Sequence, residues 1–439
     1  VAVIEFVGQS RADTDNPTAE TSRLVNLYRE KTEAGYILKS VPGTVAFTDL
    51  SRVFLRDMAT VDGQLWVVCG ETLMEISGDG TAFTRGPVLD GEATICGNNG
   101  SVCVSAGGEY YVYDGAGLNT PGGGAFDAVG SVVTVAQQTV MTELGGRRFQ
   151  WTAVADPLTI NGLDYATAEG RDDNLVRAMG INGNLWLFKE TCIELWYPDA
   201  SGFLPMAGGL IETGLKAFGL VVKIDGGAFF VGDDNIVYLT GGGQPTPVSI
   251  PAVETDIRYG QPTRCFFYED EGHKFCAIRF QSRPAWVYDI STGEWHNRAY
   301  GVDGDPWPVV SAVNVYGGWK VGTDLGAILT LARVNTDAGA PMRRVATSRT
   351  LEVAGTLALM EFVANAGQFS AEPHLMVRLS KDRGRTWGPE KQIGVGSQGN
   401  YTRHTRLRAQ GWAQWWTAEV AYSDAADVLL RAEAEVVLT

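Results

Sequence analysis

Chemistry needs reactive side chains at workable spacing, and this chain offers few. The densest cluster of polar types is Ser380-Lys381-Asp382-Arg383-Gly384-Arg385-Thr386-Trp387, which places a hydroxyl, a carboxylate and a second hydroxyl at positions 380, 382 and 386. A hydroxyl nucleophile also needs a base and a group to orient that base. Only four histidines exist (His273, His296, His374 and His404), and no G-x-S-x-G element accompanies them. Their spacing contains no H-x-x-x-H pair, so no metal is expected. The glycine-rich run from Gly115 to Gly124 lacks a P-loop lysine and reads as a loop, so no nucleotide or other cofactor is expected. Asp13-Thr14-Asp15-Asn16, and Glu169 with Asp172 and Asp173, could hold calcium, but neither has EF-hand spacing and both read as surface turns.

The octapeptide matches S-x-D-x-G-x-T-W, the Asp-box best known from sialidases and other sugar-cleaving β-propellers. A glycosidase needs two carboxylates facing each other across a cleft. With 51 acidic residues, some pair is always available and decides nothing. The arginines show no cluster at propeller spacing for an acidic sugar. The box occurs once, and its residues suffice to brace a turn. Ser380 and Asp382 can bond backbone, Gly384 can take positive φ, and Trp387 can pack under the hairpin. It reads as a brace in a protein that is not an enzyme.

The elements that would position these residues are strands. Of 439 residues, 54 are glycine, without a collagen-like period, alongside 12 Trp and 15 Tyr. Seven glycine-centred turns precede apolar strands, at Gly63, Gly100, Gly145, Gly183, Gly226, Gly272 and Gly317, with gaps of 37, 45, 38, 43, 46 and 45 residues. That spacing fits one four-stranded propeller blade per repeat. Asn-Gly and Asp-Gly pairs supply the positive φ of two-residue hairpins. The Gly145 repeat is the weakest, so six or eight blades also fit. The spacing predicts an all-β chain: a β-propeller of about seven blades over residues 51–335, with a β-sandwich or barrel over 336–439. Residues 1–50 read as an arm packed on the propeller, containing the only helix-like stretch, SRLVNLYREKTEAG. The six cysteines form no C-x-x-C and read as buried, reduced thiols. There is no 18-residue apolar run and no secretion signal at the start, which points to synthesis and folding in a cytoplasm.

The net charge is -16, unsuited to coating DNA through a general basic surface. Against it stands the stretch from Met376 to Gln410, where eight Lys and Arg meet two acids. Such a patch suits docking of an acidic or phosphate-rich partner.

Several stretches, in order, resemble the packaged-DNA stabilisation proteins of short-tailed bacteriophages, also called tail accessory factors or tail nozzle proteins. The opening carries Arg23, Asn26-Leu27-Tyr28, Glu30 and Pro42-Gly43. A central stretch carries Ala166, Ala168, Glu169, Asp173, Ile193, Glu194 and Trp196. Gly243-Gln244-Pro245, the run AWVYDISTGEWHNR and the C-terminal LSKDRGRTWGPEKQ region follow. The resemblance implies a virion protein assembled in the host cytoplasm, forming a homo-oligomeric ring that is a hexamer. The ring would sit below the portal adaptor ring, extend the channel for genomic DNA and carry a tail fibre, spike or needle. Candidate interface residues are Arg23, Asn26 and Tyr28 from the opening, and Arg383, Arg385, Arg403, Arg406 and Arg408 from the basic stretch. The alternative is a carbohydrate-binding or sialidase-like phage propeller acting on host glycans.

Overall fold

A computed structural model describes residues 2–11, 21–33, 35–51, 54–366, 372–396, 403–408, 410–426 and 428–438. It is built almost wholly of strands. Five free-standing four-stranded antiparallel sheets succeed one another from Leu55, Ala93, Val129, Leu175 and Val221. A sixth set of four strands starts at Pro262 and a seventh at Val309; both belong to larger sheets. The seventh takes three strands from Val309–Val315, Gly318–Thr323 and Ala327–Ala332 and its fourth from Gly43–Asp49, which pairs antiparallel with Ala327–Ala332. First strands of neighbouring sheets pack side by side from the first sheet to the fourth and from the fifth to the seventh, and Val309–Val315 lies against Leu55–Val61. A cavity of about 190 Å³ lies among these inner strands, lined by Asp57, Met58, Ile95, Arg177, Val221 and Arg264.

Each sheet begins with a tight hairpin. The turns Asp62-Gly63, Asn99-Gly100, Asn182-Gly183, Glu271-Gly272 and Tyr316-Gly317 have positive φ at both residues, the type I′ geometry whose twist matches that of the flanking strands. The third sheet corrects the sequence register. Its equivalent turn is Ala136-Gln137, with φ of 49° and 62° and no glycine, between Val129–Val135 and Gln138–Glu143. Gly145 instead sits in the next turn, before Arg148–Ala153. Apolar side chains between neighbouring sheets form the core; Trp66, Val68 and Leu73 of the first meet Ile95, Val104 and Tyr111 of the second.

The helix expected at residues 22–35 is absent. Asn26, at φ 56°, breaks that segment into Arg23–Val25 and Leu27–Thr32, and Leu27–Thr32 forms a hairpin with Gly35–Ser40. Cross-strand pairing overrides a weak helical pattern. The helix in the described residues is Pro251–Tyr259. Proline opens it, Ala252, Val253 and Ile257 are its buried face, and Glu254 and Arg258 complement its dipole.

The C-terminal module is a two-sheet sandwich that borrows strands from the start of the chain. One sheet runs Leu27–Thr32, Gly35–Ser40, Val428–Leu438, Gly355–Ala366, Arg403–Arg408, with Ala2–Glu5 also paired to Val428–Leu438. The other runs Arg23–Val25, Arg344–Thr347, Thr417–Tyr422, His374–Ser380, Lys391–Gly394. Val25 bridges in parallel to Asn297 of Glu294–Tyr300, so this second sheet continues into the sixth propeller sheet. Leu24, Phe362, Leu375, Trp416, Val420 and Tyr422 lie in the core between the two.

Candidate interaction sites on the sandwich and its seam

The Asp-box links His374–Ser380 to Lys391–Gly394, which pair as a hairpin. The buried Ser380 hydroxyl donates to Asp382 Oδ1 at 2.7 Å and accepts from the Gly384 amide at 2.8 Å. Asp382 Oδ1 accepts the Thr386 amide at 2.8 Å, and its Oδ2 accepts the Thr386 hydroxyl at 2.6 Å. Arg383 and Gly384 both have positive φ, 61° and 81°. The hydrogen bonds from Thr386, side chain first, hold the Asp382 carboxyl down to about 2. The aspartate is therefore a fixed acceptor for the turn. The Arg378 guanidinium lies over the Trp387 ring, 4.8 Å from its centroid.

The basic stretch divides between the two sheets. Arg383 turns inward, pairing with Glu352 at 2.8 Å and stacking over Trp415 at 4.7 Å, whereas Arg385 is exposed. Arg403–Arg408 is the edge strand of the other sheet. There Thr405 and Leu407 point into the core, while His404, Arg406 and Arg408 are exposed. Arg403 contributes its backbone pairing with Ala364; its side chain lies outside the described residues. Glu361 accepts from Arg406 Nε at 2.6 Å and also pairs with His404. Burial works against the Glu361 carboxylate, but those hydrogen bonds more than offset it and lower its pKa. Lys381 reaches the Trp412 carbonyl at 3.2 Å and Lys391 the Gln410 amide oxygen at 2.8 Å, spanning the gap between the two sheet edges.

Arg23, Asn26 and Tyr28 lie elsewhere, at the seam between propeller and sandwich. Asn26 is buried. Its Oδ1 accepts the Ala299 amide at 2.9 Å and Arg298 Nη1 at 3.3 Å, and its Nδ2 donates to the Arg343 carbonyl at 2.8 Å. Tyr28 is buried against His273 and Phe275, with ring centroids 5.0 and 5.3 Å away. Arg23 is half-buried in a cleft, its Nε 3.4 Å from Asn297 Oδ1. Asn26 and Tyr28 thus hold the seam inside the chain, while Arg23, Arg385, Arg406 and Arg408 present side chains to solvent or to the cleft.

Two buried arginines that the sequence reading did not single out complete the seam. Arg298 pairs with Asp337 at 2.7 Å, each 1% exposed, and donates to the Pro42 carbonyl. Arg344 binds Ser40 Oγ at 2.7 Å and the Asn335 carbonyl and side chain. Pro42-Gly43 is part of this junction, and Gly43 packs so tightly on the Val334 and Thr336 carbonyls that a Cβ would collide with them. The central stretch is also structural. Buried Lys189 pairs with Asp173 at 2.9 Å and Glu194 at 3.1 Å, and Trp196 Nε1 donates to Glu194. Asp172 instead pairs with Arg147 and Glu169 is exposed, so these three acids do not converge. Asp13, Thr14, Asp15 and Asn16 lie outside the described residues.

Family models confirm both modules. A model described as bacteriophage P22 Gp10, beta-propeller, matches residues 13–333, and one described as bacteriophage P22 Gp10, beta-sandwich, matches residues 345–436. The chain belongs to the bacteriophage P22 Gp10 family. It is therefore a phage structural protein of the family that stabilises packaged DNA, with a place in the virion. The resemblance seen in the opening, the central stretch and the C-terminal region is thus supported across nearly all of the chain. No curated protein matches the sequence. Among solved structures it is similar to BamB from Moraxella catarrhalis, at 11% identity over 76% of this chain and 98% of that one, TM-score 0.41. It is also similar to the Pan2 WD40 domain of Neurospora crassa, at 10% identity over 66% and 94%, TM-score 0.45. Among the described residues no helix is long and apolar enough to cross a membrane.

Proposed function

We propose that the protein is a non-enzymatic ring component of a short-tailed phage tail, a hexameric nozzle below the portal adaptor ring. It extends the channel through which genomic DNA passes, helps retain packaged DNA, and carries a needle, fibre or spike. Membership of the P22 Gp10 family across both modules carries this reading. The fold supports it. A propeller joined to a sandwich through a continuous sheet suits a ring that must hold its shape around packaged DNA. The net charge of -16 suits a channel wall that repels phosphate and lets DNA slide without sequence recognition. The exposed Arg385 on the Asp-box turn, and Arg406 and Arg408 on the edge strand of the other sheet, are the residues we assign to contacts with the adaptor or a neighbouring subunit.

The test is negative-stain imaging and mass photometry of the protein mixed with its adaptor ring. Six copies per adaptor ring are expected, and replacing Arg383 and Arg385 together should reduce assembly while the fold is retained. A chain that stays monomeric and ignores the adaptor overturns the reading. Release of reducing sugar from host polysaccharide would favour a glycan-cleaving propeller instead.

A further inference from the structure

Between the sixth propeller sheet and the sandwich lies an open cleft of about 620 Å³. Arg23, Arg343, Arg378 and Arg383 line it, against only Glu419 and Asp303, a local excess of positive charge in a chain of -16.

The four arginines are unequally occupied. Arg378 is saturated by Glu419, at 2.7 and 2.8 Å, and lies over Trp387. Arg383 pairs with Glu352 outside the cleft. Arg343 reaches Glu390 only at 3.6 Å. Arg23 makes no ion pair with any described carboxylate, its one hydrogen bond going to Asn297. The nearest acids do not serve it. Asp256 is engaged by Arg283 and by Trp286 Nε1, and Glu419 by Arg378. Burial lowers the Arg23 pKa despite the fields of Asp256 and Glu419, as expected for a desolvated cation short of an anion. A guanidinium in this state offers a bidentate site for an oxyanion.

We propose that the cleft is a docking site for an Asp- or Glu-bearing segment of a partner polypeptide, with Arg23 as the principal carboxylate anchor and Arg343 as the second. A protein segment fits better than nucleic acid. Val25, Pro284, Val302 and Val345 add apolar surface to the wall beside Thr21 and Thr347, suited to side chains flanking a carboxylate. The acidic surface repels an extended polyanion over a Debye length, but a single carboxylate is captured by short-range hydrogen bonds inside the cleft.

The test uses the full chain and the single-carboxylate peptide N-acetyl-Leu-Glu-Leu amide, followed by calorimetry and by tryptophan fluorescence with W387F as the assignment control. Saturable binding is expected. R23M should weaken it about tenfold and R343M about threefold, the scale of one or part of a charge-assisted hydrogen bond, while R147M, in a turn of the third propeller sheet, leaves it unchanged. Circular dichroism and Tm check each variant; should R23M not fold, R343M and the lysine variant R23K, expected to bind in between, carry the test. Equal binding by folded R23M and R343M, or no binding by the parent chain, overturns the proposal. So does stronger occupancy by inorganic phosphate or a dT12 oligonucleotide at matched concentration and ionic strength. The readout does not depend on ring formation, so a monomeric chain that binds the peptide separates this inference from the nozzle reading.

Discussion

The propeller and the sandwich are both antiparallel, yet they are assembled in opposite ways. Five propeller sheets are each built from one unbroken run of chain, strand following strand through short turns. The sandwich is a patchwork in which Gly35–Ser40 pairs with Val428–Leu438, Arg23–Val25 pairs with Arg344–Thr347, and the two sheet edges are joined by lysine bridges. Local pairing carries a small loop-closure cost, and distant pairing must wait for the rest of the chain. The start of the chain is therefore part of both modules. Gly43–Asp49 closes the propeller ring, and the strands before it complete the sandwich.

The largest test of that contrast is truncation. Removing residues 1–41 keeps the strand that closes the propeller but takes away Gly35–Ser40, Leu27–Thr32 and Arg23–Val25. The propeller should still unfold cooperatively, while the sandwich loses its transition. Two-probe denaturation, with tryptophan fluorescence and limited proteolysis mapped by mass spectrometry, reads the two modules separately. A truncated chain with both transitions intact would show that the borrowed strands are dispensable.

Next in size is the seam. Arg298→Met leaves Asp337 buried without its cation, which costs about 3–5 kcal/mol, and frees Asn26 Oδ1 from one of its two donors. Both modules should be destabilised together, because the pair sits where the propeller, the linker and the first strands meet. Lys189→Met makes the same chemical change for Asp173 and Glu194 inside the propeller alone. Urea titration should show a loss shared between modules for Arg298→Met and confined to the propeller for Lys189→Met.

The same contrast decides what could be read from the sequence. Asn99-Gly100 and Asn182-Gly183 announce hairpins because the chemistry of a type I′ turn is local, and their spacing exposes the propeller. The Asp-box turn was legible for that reason too, since every bond of its brace falls within residues 380–386. The strand at 23–25 was not legible, because what makes it a strand is pairing with residues some 270 to 325 positions away, and the hairpin of 27–32 with 35–40 is held in place by Val428–Leu438, some 390 positions on. Arg23, the anchor proposed for the cleft, was found only as a family-like residue. That it lacks a carboxylate depends on Asp256 and Glu419 being engaged elsewhere, which no spacing reveals.

A smaller effect is expected at the Asp-box. Asp382→Asn keeps the shape but weakens the acceptor for Thr386, and should cost about 1–2 kcal/mol in the sandwich transition. The pH dependence has a definite sign. The folded carboxyl is lowered from 3.8 to about 2, so its contribution is present above the ordinary value and disappears as pH falls through about 2. The difference in stability between the parent and Asp382→Asn should therefore narrow between pH 4 and pH 2. A constant difference would show that the carboxylate charge is immaterial.

The smallest expected effect bears most directly on why one repeat was misplaced. Ala136-Gln137 makes the same left-handed turn as Asn182-Gly183, but with residues that resist positive φ. Replacing Ala136-Gln137 by Asn-Gly should stabilise the third sheet by about 0.5–1 kcal/mol, because the turn then prefers the geometry it already has. The reciprocal change of Asn182-Gly183 to Ala-Gln should cost a similar amount. Asn182 also donates through Nδ2 to the Gly226 carbonyl at 2.8 Å, so the reciprocal loss should be the larger of the two. Hydrogen exchange of the amides flanking each turn would resolve both changes sheet by sheet. A gain absent at residues 136–137 would mean that the surrounding sheet, and not the turn, sets this hairpin, so that a repeat can dispense with the glycine by which the others are recognised.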